Sequence, residues 1–218
     1  MAPPIAILGA GPSGLALGRM LELANIDYII FERDISDNEM TARAGTLDIR
    51  TGSGQLALQE AGLLDQFKKL ARRDAHTILA DGQGNVYIRT GESDEINEDR
   101  PEIDRKDLRA LLLNSIPANK VCWGSRVQQV QRDTDKSMSV RFADGSIKSG
   151  FRLVVGADGA WSKARNLVSH ISDISLWATN TEKGHIRQTS IFWAALLDYN
   201  HQAGEPVSLH RLLAGWAR

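Results

Sequence analysis

The first 31 residues combine two strand-like apolar runs with one helical pattern. Ile5 to Leu8 is an uninterrupted apolar run, which is typical of a central strand that is buried on both faces. After a glycine-rich segment, apolar residues recur at helical spacing from Leu15 to Leu23, and Ile26 to Phe31 is a second strand-like run. Strand, glycine turn, helix and strand predict a βαβ unit, and therefore an α/β fold with a mostly parallel sheet.

Several further elements are predicted by periodicity and turn chemistry. They are a helical stretch over 54–70, a hairpin over 76–89 that turns at Asp81–Gly84, a helix that Asp104 caps and that runs through Leu113, strands at 127–130 and 139–142, a hairpin turn at 143–146 and a buried strand at 153–155. Beyond about residue 166 the pattern weakens, and its apolar segments predict only one or two strands and a terminal helix.

Composition and charge narrow the classes of function. A net charge of -1 gives no electrostatic footprint for nucleic acid or for an anionic membrane. The amino terminus lacks a signal-peptide pattern, and no apolar stretch approaches the roughly 20 residues of a membrane helix, so we expect a soluble, cytoplasmic protein. The five histidines have no metal-ligand spacing, and no G-x-S-x-G elbow supplies a hydrolase nucleophile. We therefore expect no metal site.

The first motif that carries chemistry is the segment from Gly9 through Gly11 to Gly14, a G-x-G-x-x-G between strand and helix. Such glycines permit a tight turn, a close approach of backbone to a pyrophosphate and close packing of the helix on the strand. Glu32 ends the second strand 18 residues after Gly14, where a carboxylate can accept hydrogen bonds from ribose hydroxyls. This favours FAD or NAD over NADP in the pocket, and the alternative is a glycine turn followed by a surface glutamate.

The second motif is Gly156-Ala157-Asp158-Gly159, which follows a buried strand and continues to Ser162 and Arg165. With the glycine loop and Glu32-Arg33, it resembles the single-component FAD-dependent aromatic hydroxylases, the group A flavoprotein monooxygenases. The likeness is nearest to the tetracycline-inactivating monooxygenases and related fungal biosynthetic enzymes. Ala44–Gln55 and Pro101–Arg109 are similar to two further segments of that group, so the resemblance covers residues 5–165.

The resemblance implies a Rossmann-like FAD-binding domain at 1–165, with inserted hairpins, and a partial substrate-domain remnant at 166–218. It also implies a set of cofactor contacts: Gly9, Gly11 and Gly14 at the FAD pyrophosphate, Glu32 at the adenosine ribose with Arg33 beside it, Arg43 in NADPH docking, Asp48 and Arg105 at the FAD, and Asp158 near the pyrophosphate. Without the resemblance, Arg105 and Arg109 are equally explained as a surface pair one helical turn apart. A plain turn is the alternative interpretation of Asp158-Gly159.

The resemblance further implies the reaction. NADPH or NADH would reduce bound FAD, and the reduced flavin would use O2 to hydroxylate a small aromatic or polyketide-like metabolite, as in secondary metabolism. Because the cofactor supplies the chemistry, no catalytic side chain and no metal are expected. The expected partners are a small organic substrate and O2, with no nucleic acid and no membrane, and the sequence indicates no oligomeric state.

The sequence also departs from the family pattern. The family's third motif is a Gly-Asp dipeptide that opens a helix beneath the flavin, and no Gly-Asp dipeptide occurs in this chain. About 50 residues follow Arg165, whereas family members are far longer, so we expect an internal portion to be missing and the carboxyl terminus to be cut short. The alternative function is therefore a non-catalytic FAD-binding remnant, or a subunit that another chain completes.

Overall fold

The computed structural model describes residues 5–37, 45–73, 77–90, 99–159, 161–168 and 193–195. In chain order its strands are β1 (Ile5–Leu8), β2 (Tyr28–Phe31), β3 (Thr46–Asp48), β4 (Thr77–Ala80), β5 (Val86–Thr90), β6 (Glu102–Asp104), β7 (Val121–Cys122), β8 (Val127–Arg132), β9 (Met138–Phe142), β10 (Ile147–Phe151), β11 (Leu153–Gly156) and β12 (Trp193–Ala195). Its α-helices are α1 (Pro12–Leu23), α2 (Leu56–Glu60), α3 (Leu64–Leu70), α4 (Arg105–Leu113) and α5 (Arg165–Val168).

Two compact units divide the chain. The first comprises Met1–Glu39 and Ile116–Arg218, and the second comprises Met40–Ser115. The first unit holds the βαβ element, because β1, α1 and β2 follow one another and the two strands pair in parallel. The second unit is an insertion between β2 and β7 that carries its own short strands and helices.

The main sheet of the first unit has the strand order β12-β11-β1-β2-β7. β11, β1, β2 and β7 are parallel neighbours, and β12 pairs antiparallel with β11. The register places Leu8 beside both Phe31 and Gly156, so the carboxyl ends of β1, β2 and β11 lie level with one another. The predicted α/β fold with a mostly parallel sheet is confirmed, and its three central strands end where the two motifs begin.

A three-stranded antiparallel sheet, β10-β9-β8, completes the core of this unit. Its apolar side chains pack with those of the parallel sheet in one cluster, which contains Ala6, Leu8, Phe31, Val130, Met138, Val140, Phe142, Phe151, Val154 and Ala164. The Phe31 ring lies edge-on to the rings of Phe142 and Phe151, with centroid distances of 4.9 and 5.8 Å. The removal of these apolar side chains from water is the main stabilising contribution to the core.

The second unit contains two small antiparallel pairs, β3 with β6 and β4 with β5. The predicted hairpin is confirmed as β4 and β5, and its turn is organised by Asp81, whose carboxylate accepts the backbone N–H groups of Gln83 and Asn85. The stretch predicted as one helix over 54–70 is instead a π-helical turn followed by α2 and α3. Gly62 adopts a φ of +68° between the two α-helices, a left-handed conformation that ends the first of them.

Asp104 stands at the position preceding α4, as predicted, but its side chain does not cap the helix. The carboxylate instead accepts a hydrogen bond from Arg72 Nη2 at 2.9 Å, and the same nitrogen lies 3.3 Å from Glu102 Oε2. This hydrogen bond to Arg72 lowers the pKa of Asp104 from its ordinary value. Arg72, which follows α3, thereby joins both ends of β6. The local sequence does not predict this contact.

Candidate functional site

The loop after β1 is shaped by two glycines that cannot carry a side chain. Gly9 has a φ of +101°, and a Cβ there would lie 2.7 Å from the carbonyl oxygen of Ala157. At Gly14 a Cβ would overlap the carbonyl oxygen of Gly9. The loop therefore folds back tightly against both the start of α1 and the segment after β11, as a phosphate-binding loop requires.

Gly11 is a different case, because neither its backbone nor its protein neighbours require glycine. Its φ of -76° and ψ of 176° are available to any residue, and a Cβ would meet no protein atom within 4 Å. Gly11 is also the residue that precedes the first turn of α1, which makes no side-chain capping hydrogen bond. The missing side chain thus leaves open space at the amino terminus of the helix, where an anion is favoured.

Glu32 follows β2 and is buried, with 7% of its surface exposed. Its Oε2 accepts the backbone N–H of Ala10, in the glycine loop, at 2.6 Å, and its Oε1 accepts the N–H of Asp34 at 3.1 Å. The alternative of a surface glutamate is therefore wrong. A carboxylate oxygen can accept more than one hydrogen bond, so these contacts leave acceptor capacity for a ribose hydroxyl.

Asp158 lies in the turn after β11, and its exposed carboxylate accepts the backbone N–H of Lys163 at 3.0 Å. The N–H of Ala157 donates to the carbonyl of Leu8, which ties this turn to the end of β1. Gly156 allows the turn to close, because a Cβ there would lie 2.5 Å from Ser162 Oγ. The first unit thus brings the glycine loop, Glu32 and Asp158 to one edge of the parallel sheet, where open α/β sheets bind ligands.

Gly18 is a further glycine of α1, outside the motif, whose missing side chain matters for packing. Gly14 lets the start of α1 approach Gly9, which directly follows β1. At Gly18 a Cβ would lie 3.0 Å from Ile30 Cδ1 and 3.1 Å from Tyr28 Cε2, so this glycine sets the approach of α1 to β2. The available signal was its spacing, since residues four apart share one helix face.

Asp48 and Arg105 belong to the second unit and lie at opposite ends of the β3–β6 ladder. Asp48 is exposed and pairs in register with Glu102, whereas the Arg105 backbone N–H donates to the carbonyl of Gly45, next to the other end of β3. Arg109 is buried, with 3% of its surface exposed. The interpretation of Arg105 and Arg109 as a surface pair is therefore wrong for Arg109.

Arg33 and Arg43 are the two remaining predicted contact residues. Arg33 is exposed, and its Nε lies 3.8 Å from Asp34 Oδ1, a long ion pair of small energetic weight. Arg43 lies outside the described residues. Within the part of the chain that the structure describes, no group of three acidic, histidine or cysteine side chains is arranged to hold a metal, and no helix is long and apolar enough to cross a membrane.

Comparison with known protein families identifies the family of the chain. The family described as "FAD binding domain" matches residues 3–175. This chain belongs to that FAD binding domain family. The match spans the glycine loop, Glu32 and Asp158, so the identification rests on the same stretch of chain that forms the edge of the parallel sheet.

Several relatives of this FAD binding domain protein have been named. It is 32% identical over 175 residues to "Monooxygenase penA" of Penicillium thymicola, covering 75% of this chain and 39% of that protein. It is 35% identical over 177 residues to "Monooxygenase asqM" of Emericella nidulans, covering 74% of this chain and 39% of that protein. The chain therefore spans about two fifths of the length of these relatives.

Solved structures share the fold of this FAD binding domain protein. Tetracycline destructase Tet(51) superposes with a TM-score of 0.59 at 23% identity, covering 77% of this chain and 42% of that one. Klebsiella pneumoniae HpxO, in complex with FAD and uric acid, superposes with a TM-score of 0.59 at 23% identity, covering 75% and 41%. At this level of identity the likeness establishes the fold alone.

Proposed function

We propose that this chain is the FAD-binding part of a flavin-dependent monooxygenase that hydroxylates a small aromatic or polyketide-like metabolite. The observation that carries the proposal is the edge of the parallel sheet, where the glycine loop, Glu32 and the Asp158 turn meet. Relatives from fungi that are named as monooxygenases support the reaction class. A place in secondary metabolism is part of the proposal. NADPH or NADH is the proposed electron donor, O2 the second substrate and the cytoplasm the location.

The residues of the first unit fit the adenosine and pyrophosphate portion of FAD. The open space at Gly11 would admit the pyrophosphate, beside a helix whose amino-terminal N–H groups carry partial positive charge. Glu32 would accept a ribose hydroxyl, with Arg33 beside it, and the Asp158 turn would close the pyrophosphate side. FAD, when bound, would supply the redox chemistry, while this chain would bind and orient it.

The residues of the second unit are proposed to act at the flavin end. Asp48 and Arg105 would contact the FAD, and Arg43 would take part in NADPH docking. We also propose that residues 1–165 form the FAD-binding domain and that 166–218 belong to the substrate domain. The roles of these three residues come from the family resemblance. Substitution of each residue therefore tests separately whether the resemblance holds at that position.

The alternative is a FAD-binding chain that does not hydroxylate by itself, either a remnant or a subunit completed by another chain. It is favoured by the absence of a Gly-Asp dipeptide from the sequence, since that motif holds the ribityl chain in the family. The two functions are distinguished by mixing the purified chain with FAD, NADPH and phenolic or polyketide substrates. Hydroxylated product coupled to NADPH oxidation supports the enzyme, and bound FAD without product supports the alternative.

FAD binding is tested by Gly11→Val. We expect the valine side chain to occupy the space proposed for the pyrophosphate and to weaken FAD binding by about 1–3 kcal/mol, the usual cost of inserting methyl groups into a filled space. Gly82→Val is the matched control, because a Cβ at Gly82 also meets no protein atom within 4 Å. Flavin fluorescence titration measures both, and equal affinities for FAD would contradict the proposed site.

A further inference from the structure

Glu32 contacts the glycine loop directly, in addition to facing the proposed ribose site. Its Oε2 accepts the N–H of Ala10 at 2.6 Å, and Ala10 lies between the two glycines that begin the motif. The residue before Glu32 makes a second contact with the same loop, because the carbonyl of Phe31 accepts the N–H of Gly9 at 2.8 Å. Two consecutive amides of the loop are thus bound to two consecutive residues at the end of β2.

The bond from Gly9 holds the Leu8–Gly9 peptide, and the bond from Ala10 to Glu32 fixes the orientation of the next one, the Gly9–Ala10 peptide. Gly9 has a φ of +101°, one of many backbone conformations that are open to glycine, so contacts with its neighbours must select it. The carbonyl of this peptide faces Gly14, where a Cβ would overlap it, so the peptide plane also sets how α1 begins. A rotation of this peptide would therefore displace both Gly11 and the first turn of the helix.

We propose that Glu32 is a positioning residue for the phosphate loop, so that one buried carboxylate both receives the ribose and holds the loop in its pyrophosphate-binding form. The proposal rests on the proposed function, since it assumes a dinucleotide at this edge of the sheet. The bond to Ala10 is charge-assisted and short, which makes it one of the stronger hydrogen bonds available to the loop. A neutral acceptor at the same place would hold the peptide less firmly.

The test separates the two roles with a ligand that lacks the ribose hydroxyls. ADP and 2′,3′-dideoxyadenosine diphosphate are titrated into the wild-type chain and into Glu32→Gln by calorimetry. A residue that acts only on the ribose would leave the affinity for the dideoxy compound unchanged. By Coulomb's law alone, removal of a negative charge near a diphosphate would raise that affinity. We expect the opposite, a loss of about tenfold, because a hydrogen bond to a charged group contributes on the order of one such factor or more.

Asp27→Asn is the matched control, because it removes a carboxylate charge at the other end of the same strand, where Asp27 pairs with Lys120. We expect this variant to bind both diphosphates as the wild type does. Unchanged binding of the dideoxy compound by Glu32→Gln would overturn the positioning role and leave the ribose role intact. Failure of the wild type to bind ADP and FAD would instead contradict the proposed function.

A second measurement uses the wild-type chain alone and does not depend on how a variant folds. In the unliganded protein, we expect the Ala10 amide proton to resonate downfield and to exchange slowly, as a short hydrogen bond to a carboxylate requires. Nuclear magnetic resonance of the labelled chain gives both properties. A random-coil chemical shift together with rapid exchange at Ala10 would overturn the proposal.

Discussion

Two antiparallel regions of this chain, the β8–β10 sheet and the β4–β5 hairpin, differ in how far their side chains are buried. The three-stranded sheet β8–β10 places Val130, Met138 and Val140 in the core cluster of the first unit. The β4–β5 hairpin of the second unit has half or more of the surface exposed at several large apolar side chains, among them Ile78, Leu79, Tyr87 and Ile88. Both are antiparallel and both contain a register shift, so pairing alone does not determine burial.

The register shows that the exposed residues of the hairpin occupy both of its faces. Leu79 and Ile88 are directly opposite one another and share one face, while Ile78 is opposite Arg89 on the other face. In β9, by contrast, four of five residues are buried. Met138, Val140 and Phe142 belong to the core cluster that contains Phe31, and the Ser139 hydroxyl donates a hydrogen bond to Asp133. A two-stranded hairpin without a packed face is only marginally stable in water, which gives the two regions different expected stabilities.

Hydrogen exchange should show the largest difference between the two regions. Amides in β9 should exchange mainly through global unfolding, with an opening free energy of about 5–15 kcal/mol. Amides in β4 and β5 should open with about 0–1 kcal/mol, because few buried contacts oppose local opening. Residue-resolved exchange measures both. Comparable protection in the two regions would mean that the hairpin is covered in solution.

Substitution of one aromatic residue in each region should show the next largest difference. Phe142→Ala removes a ring that is 4% exposed and packs against Phe31, and we expect a loss of about 3–5 kcal/mol in the free energy of unfolding. Tyr87→Ala removes a ring that is 68% exposed, and we expect a change within about 0.5 kcal/mol. Urea denaturation measures each change. A small effect at Phe142 would show that β8–β10 does not depend on the core.

The local parts of this architecture were predictable, since each depends on residues that are close in sequence. Periodicity indicated β1, α1 and β2, and turn chemistry indicated both hairpins at Asp81–Gly84 and at 143–146. The extent of hairpin burial was not predictable, because alternation of residue types looks the same whether or not a partner covers a face.

The site followed the same rule. The spacing of the motif indicated the glycine loop and Glu32. The hydrogen bond from Ala10 to Glu32 joins residues 22 apart in sequence, and the motif does not predict it. Arg109 has the spacing of a surface residue on α4 and is nevertheless buried. Asp104 was expected to cap α4, but Arg72 provides a charged partner that the local pattern did not show. Each of these depends on the tertiary fold.

The smallest expected effect concerns a feature that the two antiparallel regions share, which is an aspartate in a hairpin turn. The Asp81 carboxylate accepts a hydrogen bond from the Asn85 side chain at 2.8 Å, and Asp144 accepts one from Ser146 Oγ at 2.7 Å. In each case this side-chain hydrogen bond is the main cause of a lowered pKa, with backbone N–H groups adding to it. The turns are thus chemically alike although the strands beside them are buried to different extents.

A lowered pKa means that the ionised carboxylate favours the folded state. The contribution of each aspartate to stability is therefore present above the ordinary pKa of about 3.9 and is lost as the pH falls through the lower value of the folded protein. Carboxyl-carbon resonances should give both titrations. Asn85→Ala should raise the pKa of Asp81 and leave that of Asp144 unchanged, and Ser146→Ala should do the reverse. If either substitution moved both titrations, the turns would not be the independent local structures described by their hydrogen bonds.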